Sequence, residues 1–166
     1  MTMAFVLALS VRAADVSVKI SDVHLCCQSC VKGVQTAIGK VQGATATVNQ
    51  DEGTVTLTGP DKATVQKAAD ALVAAGYFGK SSDPGITIND STGAKGQKVQ
   101  SMKVDGLHLC CGKCVKTVND TLSAVPGVKA NTATKGAKSF EITGDFNDKE
   151  VFTALQKAGL TGQVGK

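Results

Sequence analysis

The chain has 166 residues, of which 42% are hydrophobic and 4% aromatic, with no tryptophan. That is room for one ordinary domain or two small ones, with cores built from Val, Ala, Leu and Ile. The formal net charge of +4 comes almost wholly from lysine and is spread along the chain. The dense arginine stripe and stacking aromatics of a nucleic-acid surface are missing, so no nucleic-acid partner is expected.

The segment Met1–Asp15 holds an apolar run far shorter than the roughly 20 residues a spanning helix needs. Val11-Arg12-Ala13 offers the small residues that signal peptidase prefers. Residues 1–14 therefore read as a signal peptide, although no positive charge precedes the apolar run. The mature chain is then periplasmic or secreted, with no membrane span. The alternative is a first strand that merely begins apolar.

Two copies of one unit follow. HLCCQSCVKGV, from His24 to Val34, recurs as HLCCGKCVKTV, from His108 to Val118, a shift of 84 residues. Self-similarity at a fixed shift marks a duplicated structural unit. In the first copy Val16, Val18 and Ile20 alternate as a strand. Val31, Val34, Ile38 and Val41 then repeat at three and four, one face of a helix opening at the cysteines. Ala44–Val48 and Thr54–Thr58 read as a hairpin around Asn49–Gly53. Asp61 is placed to cap a helix carrying Val65, Ala68, Ala69, Leu72 and Val73 on one face. Gly76 ends that helix, and Tyr77–Lys80 is expected as the last strand.

Residues 83–96 are turn-rich and polar and read as a flexible linker, although Ile86 and Ile88 can extend the preceding strand. Such a coil averages roughly 20 to 25 Å end to end. The two cysteine motifs can therefore meet, but nothing in the spacing requires it. In the second copy Met102 and Val104 alternate, and Val115, Val118, Leu122 and Val125 share a helix face. Strands are expected at Val128–Thr132 and Ser139–Ile142. Asn147 with Glu150 resembles a capping box for the helix carrying Val151, Phe152, Leu155 and Ala158. Thr161–Val164 would close the unit. The order β-α-β-β-α-β twice predicts an α+β chain of two tandem ferredoxin-like domains, 15–82 and 97–166.

The chemistry lies in the repeated motif. If the helix starts near Cys26, then Cys26, Cys27 and Cys30 converge at its N-terminus, where free N–H groups and the macrodipole favour thiolate. Cys110, Cys111 and Cys114 repeat the pattern. His24 and His108 stand two residues earlier and can add a nitrogen. Three sulfurs and a nitrogen suit Cu(I), Zn(II) and heavier thiophilic ions rather than Mg(II) or Ca(II), and one ion per motif is expected. Three other chemistries use the same residues. Disulfides are common in exported proteins, but three thiols per copy leave one unpaired. The C-x-x-C pairs also suit a thiol–disulfide oxidoreductase, the alternative function. Structural zinc is the third option. No Ser–His–Asp set, paired carboxylates or phosphate loop is legible, so the chain is not read as an enzyme.

A strand, a loop, C-x-x-C at the mouth of a helix, and Ala75-Gly76-Tyr77 before the last strand resemble the heavy-metal-associated domain. The likeness covers nearly the whole mature chain, twice. That family includes copper chaperones, the N-terminal modules of metal-pumping ATPases and the periplasmic mercury-binding protein. The resemblance implies that Cys27 with Cys30, and Cys111 with Cys114, bind the ion. It further implies capture, buffering or transfer of a copper-, zinc- or mercury-class ion, Cu(I) or Zn(II) first. The partner it suggests is a metal-transporting ATPase or another metal-transfer protein. Cys26 and Cys110 are additional to the family pair, Asp22-Val23 lacks the glycine of Asp105-Gly106-Leu107, and Leu160 stands where the first copy has Tyr77.

Overall fold

A computed structural model describes residues 14–166. The expected signal peptide lies outside the described residues except for Ala14. The first unit runs β1 (Val16–Ser21), α1 (Gln28–Ile38), β2 (Thr45–Asn49), β3 (Thr54–Gly59), α2 (Lys62–Ala74) and β4 (Lys80–Ser81). The second runs β5 (Lys98–Asp105), α3 (Gly112–Ser123), β6 (Val128–Asn131), β7 (Ser139–Asn147), α4 (Asp148–Lys157) and β8 (Gln163–Val164). Each forms a four-stranded antiparallel sheet, in the orders β2-β3-β1-β4 and β6-β7-β5-β8. The fold is α+β, with two ferredoxin-like domains.

Register explains the cores. Val18 faces Leu57 and Ile20 faces Val55 across β1 and β3. These four are buried together with Val34 and Ile38 of α1 and Val65, Ala68, Ala69 and Leu72 of α2. In the second domain Met102 faces Ile142 and Val104 faces Phe140, under Val118, Leu122, Phe152 and Leu155. The expected caps are present: Asp61 accepts from Thr64 N at 2.7 Å, and Asn147 accepts from Lys149 N and Glu150 N. Among the described residues no helix is long and apolar enough to cross a membrane.

Three local expectations change. Helix α1 begins at Gln28 with Cys27 as its N-cap, so Cys26 stands outside the helix rather than on its first turn. The closing strands are only two residues long, because Tyr77 and Leu160 leave their own sheets and pair with each other in an antiparallel bridge. Segment 83–96 is not a loose coil. Ile86 is 2% exposed, and Gln66 on α2 brackets the Thr87 backbone through two bonds of 2.8 Å. Val164 N donates to Thr92 O at 2.8 Å, and Asp148 accepts from Lys95 N and Gln97 N, each at 2.8 Å. The segment is a strap fastened to both domains.

The domains also join directly. Phe78 N donates to Gly159 O and Thr161 N to Gly76 O, each at 3.0 Å. The contact is reciprocal: each copy offers the other the same residues. Gly76 (φ +86) and Gly159 (φ +76) close α2 and α4 in a left-handed turn. A Cβ on Gly76 would lie 2.6 Å from His108 N, and one on Gly159 would lie 2.5 Å from His24 N. Only glycine lets each helix end lie this close to the other domain's cysteine loop.

Candidate metal centre

Each cysteine loop is tied to the hairpin side of its own domain. In the first domain Val23 N donates to Gly53 O of the β2–β3 hairpin at 2.9 Å. In the second, Gly106 N donates to Lys138 O and Gly136 N to Leu109 O, at 3.0 and 2.6 Å. Asp22 adopts φ 61, the turn that Gly106 makes at φ 78, and its carboxylate pairs with Lys80 at 2.9 Å. Aspartate is among the few residues that tolerate this conformation, so the missing glycine does not change the loop's path. Leu25 and Leu109, between histidine and cysteines, are buried and anchor the loops.

The docked domains bring the two loops face to face, and all six cysteines are free thiols in one cluster. Cys27 and Cys30 lie 3.8 Å apart. Their third neighbour is Cys110 of the other copy, 3.6 Å from Cys27 and 3.5 Å from Cys30. Cys111 and Cys114 are likewise 3.8 Å apart, and Cys26 lies 3.4 Å from each. Each additional cysteine completes a triangle with the opposite pair, and Cys110 also stays within 4.8 Å of its own pair. The triangles touch through Cys26–Cys30 at 3.7 Å and Cys110–Cys114 at 3.6 Å. A metal about 2.3 Å from three sulfurs holds them about 3.8 to 4.0 Å apart, so each triangle is close to the size of a coordination site.

Six thiols this close cannot all ionise. The buried Cys30 and Cys114 hold matching places. A hydrogen bond from Cys114 favours the Cys30 thiolate against burial, with His108 next in support, so the Cys30 pKa falls. The same interaction, with burial, pushes Cys114 up. Burial first, then neighbouring sulfurs, raises Cys26 to about 12 and moves Cys110 the same way. Cys111 is drawn down to about 6, first by the Cys114 backbone N–H at the mouth of α3, although no capping bond is completed there. A soft cation can take the place of the shared protons.

The histidines differ. A ring nitrogen of His24 lies within 4.8 Å of the Cys26 and Cys114 sulfurs. Burial holds its pKa below the ordinary value, which favours the neutral ligating form. His108 Nε2 instead sits 2.9 Å from the Tyr77 hydroxyl, with the two rings 4.6 Å apart. Every residue singled out by the sequence (His24, Cys26, Cys27, Cys30, His108, Cys110, Cys111, Cys114) therefore converges on one place. Tyr77, which the sequence left between sheet packing and site wall, is fully buried beside them, and Gly33 next to it was not assigned there from the sequence. The mismatch of Tyr77 with Leu160, and of Gly33 with Thr117, between two copies of one motif was the available signal.

Fold and site together define a class: tandem α+β domains that share one thiol cluster between facing loops. No protein-family model matches the chain, and no curated protein matches it significantly. Among solved structures the chain is similar to the N-terminal soluble domains of Bacillus subtilis CopA, at 14% identity. That match covers 92% of this chain and 95% of the other, with a TM-score of 0.33.

Proposed function

We propose that the chain captures, buffers or hands over a soft metal ion at the thiol cluster between its domains. The observation that carries this reading is the exchange of Cys26 and Cys110, which gives each C-x-x-C pair a third sulfur. Thiolate triads select Cu(I), Zn(II) or Hg(II) over oxygen-seeking cations. Cys27 and Cys111 are partly exposed, so an incoming dithiol can displace ligands one at a time. A metal-transporting ATPase or another metal-transfer protein is the fitting partner, and an exported location suits the reading. In it the chain is a carrier rather than an enzyme.

The test is anaerobic titration of the reduced chain with Cu(I), Zn(II) and Hg(II), each against a competing chelator. Thiolate-to-metal absorbance should saturate while all six cysteines become protected from alkylation and protons are released. Rapid reduction of a disulfide substrate, indifferent to added metal, would overturn the reading in favour of an oxidoreductase.

A further inference from the structure

The two triads are built from matching residues, but their surroundings are not. His24 Nε2 is buried without a hydrogen-bond partner among the described residues. An unsatisfied buried ring nitrogen costs about 1 to 3 kcal/mol and calls for an explanation. The Cys26 and Cys114 sulfurs lie within 4.8 Å of this ring. A buried ring nitrogen that no other group engages, beside two sulfurs, is a ligand waiting for an ion.

On the other side that nitrogen is already engaged. The Tyr77 hydroxyl donates its one proton to Cys30 O at 3.0 Å. Toward His108 Nε2 it can then only accept, so Nε2 carries hydrogen and has no lone pair for a metal. Two sequence differences support the arrangement. Gly33 makes the room: a Cβ there would collide with the Tyr77 hydroxyl and lie 3.1 Å from His108 Cε1. The second copy carries Thr117 and Leu160 at these two places, and a leucine offers no hydroxyl to occupy His24.

From this geometry, and resting on the soft-metal reading above, we propose that the two triads are different metal sites. Cys26, Cys111 and Cys114 with His24 form a four-ligand site for a tetrahedral divalent ion of the zinc class. Cys27, Cys30 and Cys110 form a three-sulfur site for a monovalent ion of the Cu(I) class. Tyr77 is a positioning residue that withholds His108 Nε2 from the second site. Tetrahedral S₃N coordination is an ordinary zinc arrangement. All-thiolate coordination is the environment in which Cu(I) competes best.

The experiment uses the reduced full chain and Co(II), whose visible ligand-field bands report tetrahedral coordination, with Zn(II) as competitor and Cu(I) titrated separately. Wild type should take one tight equivalent of tetrahedral Co(II), displaced by one Zn(II). His24→Ala should weaken it by about a hundredfold or more, at or beyond the upper end of what loss of an outer-shell partner costs. His108→Ala should leave it unchanged. Tyr77→Phe, which keeps the ring packed, should release His108 and let a second tetrahedral Co(II) bind. Two equal Co(II) equivalents in wild type, or equal losses from the two histidine variants, would overturn the inequivalence while leaving soft-metal binding intact. Absence of both Co(II) and Cu(I) binding in every variant would instead sink the underlying reading.

Discussion

Tyr77 and Leu160 occupy matching places in the two copies and form an antiparallel bridge with each other across the domain boundary. Neither residue lies in the short strand that closes its own sheet. The seam they start, with its flanking Phe78–Gly159 and Thr161–Gly76 bonds, brings the cysteine loops into register. Docking at this seam therefore controls the site, and it can be disturbed without touching a sulfur.

Gly76→Ala should do so. The left-handed turn costs an L-residue about 1 to 2 kcal/mol, and the new methyl group would meet Gly106 O and His108 N of the other domain. Each domain should stay folded while the pair separates. Small-angle scattering should show a longer particle, and metal affinity should fall by about tenfold or more. Unchanged shape and affinity would mean that the seam does not hold the loops together.

The exchanged cysteines make a second, more pointed prediction. Cys26→Ser should weaken the second domain's pair, not its own. In a double-mutant cycle Cys26 should couple to Cys114 by about 1 to 2 kcal/mol of metal binding, and less to Cys27. Chelator competition measures both couplings, with circular dichroism as the folding control. Stronger coupling of Cys26 to Cys27 would restore the picture of one self-contained motif per copy.

Asp148 gives a pH dependence away from the metal centre. Burial alone would raise its carboxyl, but the N–H groups of Lys95, Gln97, Lys149 and Gly96 outweigh that and hold its pKa below the ordinary value. A folded pKa below the unfolded value of about 3.9 means that stability is present above that pH and is lost as pH falls through the folded value. Asp148→Asn should therefore cost about 1 to 3 kcal/mol at neutral pH. The gap from wild type should narrow below about pH 4. Thermal melts across pH 3 to 7 measure the gap, and amide exchange at Lys95 and Gln97 should speed up in the variant.

Gly33→Ala tests the packing around Tyr77 by addition rather than removal. The added methyl group competes for the space of the Tyr77 hydroxyl and His108 Cε1. Helix propensity alone would favour Ala by about 1 kcal/mol. A net destabilisation, together with a shifted His108 ring resonance, is expected. A more stable protein with an unmoved His108 would show that the contact relaxes freely.

Much of this architecture was legible because local periodicity and capping set it. Val34 with Ile38, Val118 with Leu122, and the caps Asp61 and Asn147 announce their elements from spacing alone. What was hidden depends on residues far apart in sequence. Cys26 looks like a first-turn partner of Cys30 until the helix starts two residues later and the other domain arrives. Ile86 was visible as an apolar residue in a polar segment, but what it packs against is set by tertiary contacts. Tyr77 was ambiguous between sheet and site, because its partner His108 comes 31 residues later and from the other copy.

Trading one sulfur between the halves has a consequence for how such a chain can change. Duplicated domains ordinarily drift apart, since one copy shelters errors in the other. Here a lesion at Cys26 falls on the neighbour's pair and a lesion at Cys110 falls on the first, so neither half is a spare. Either half alone would keep three thiols, but not the arrangement in which each C-x-x-C pair meets a sulfur of its neighbour.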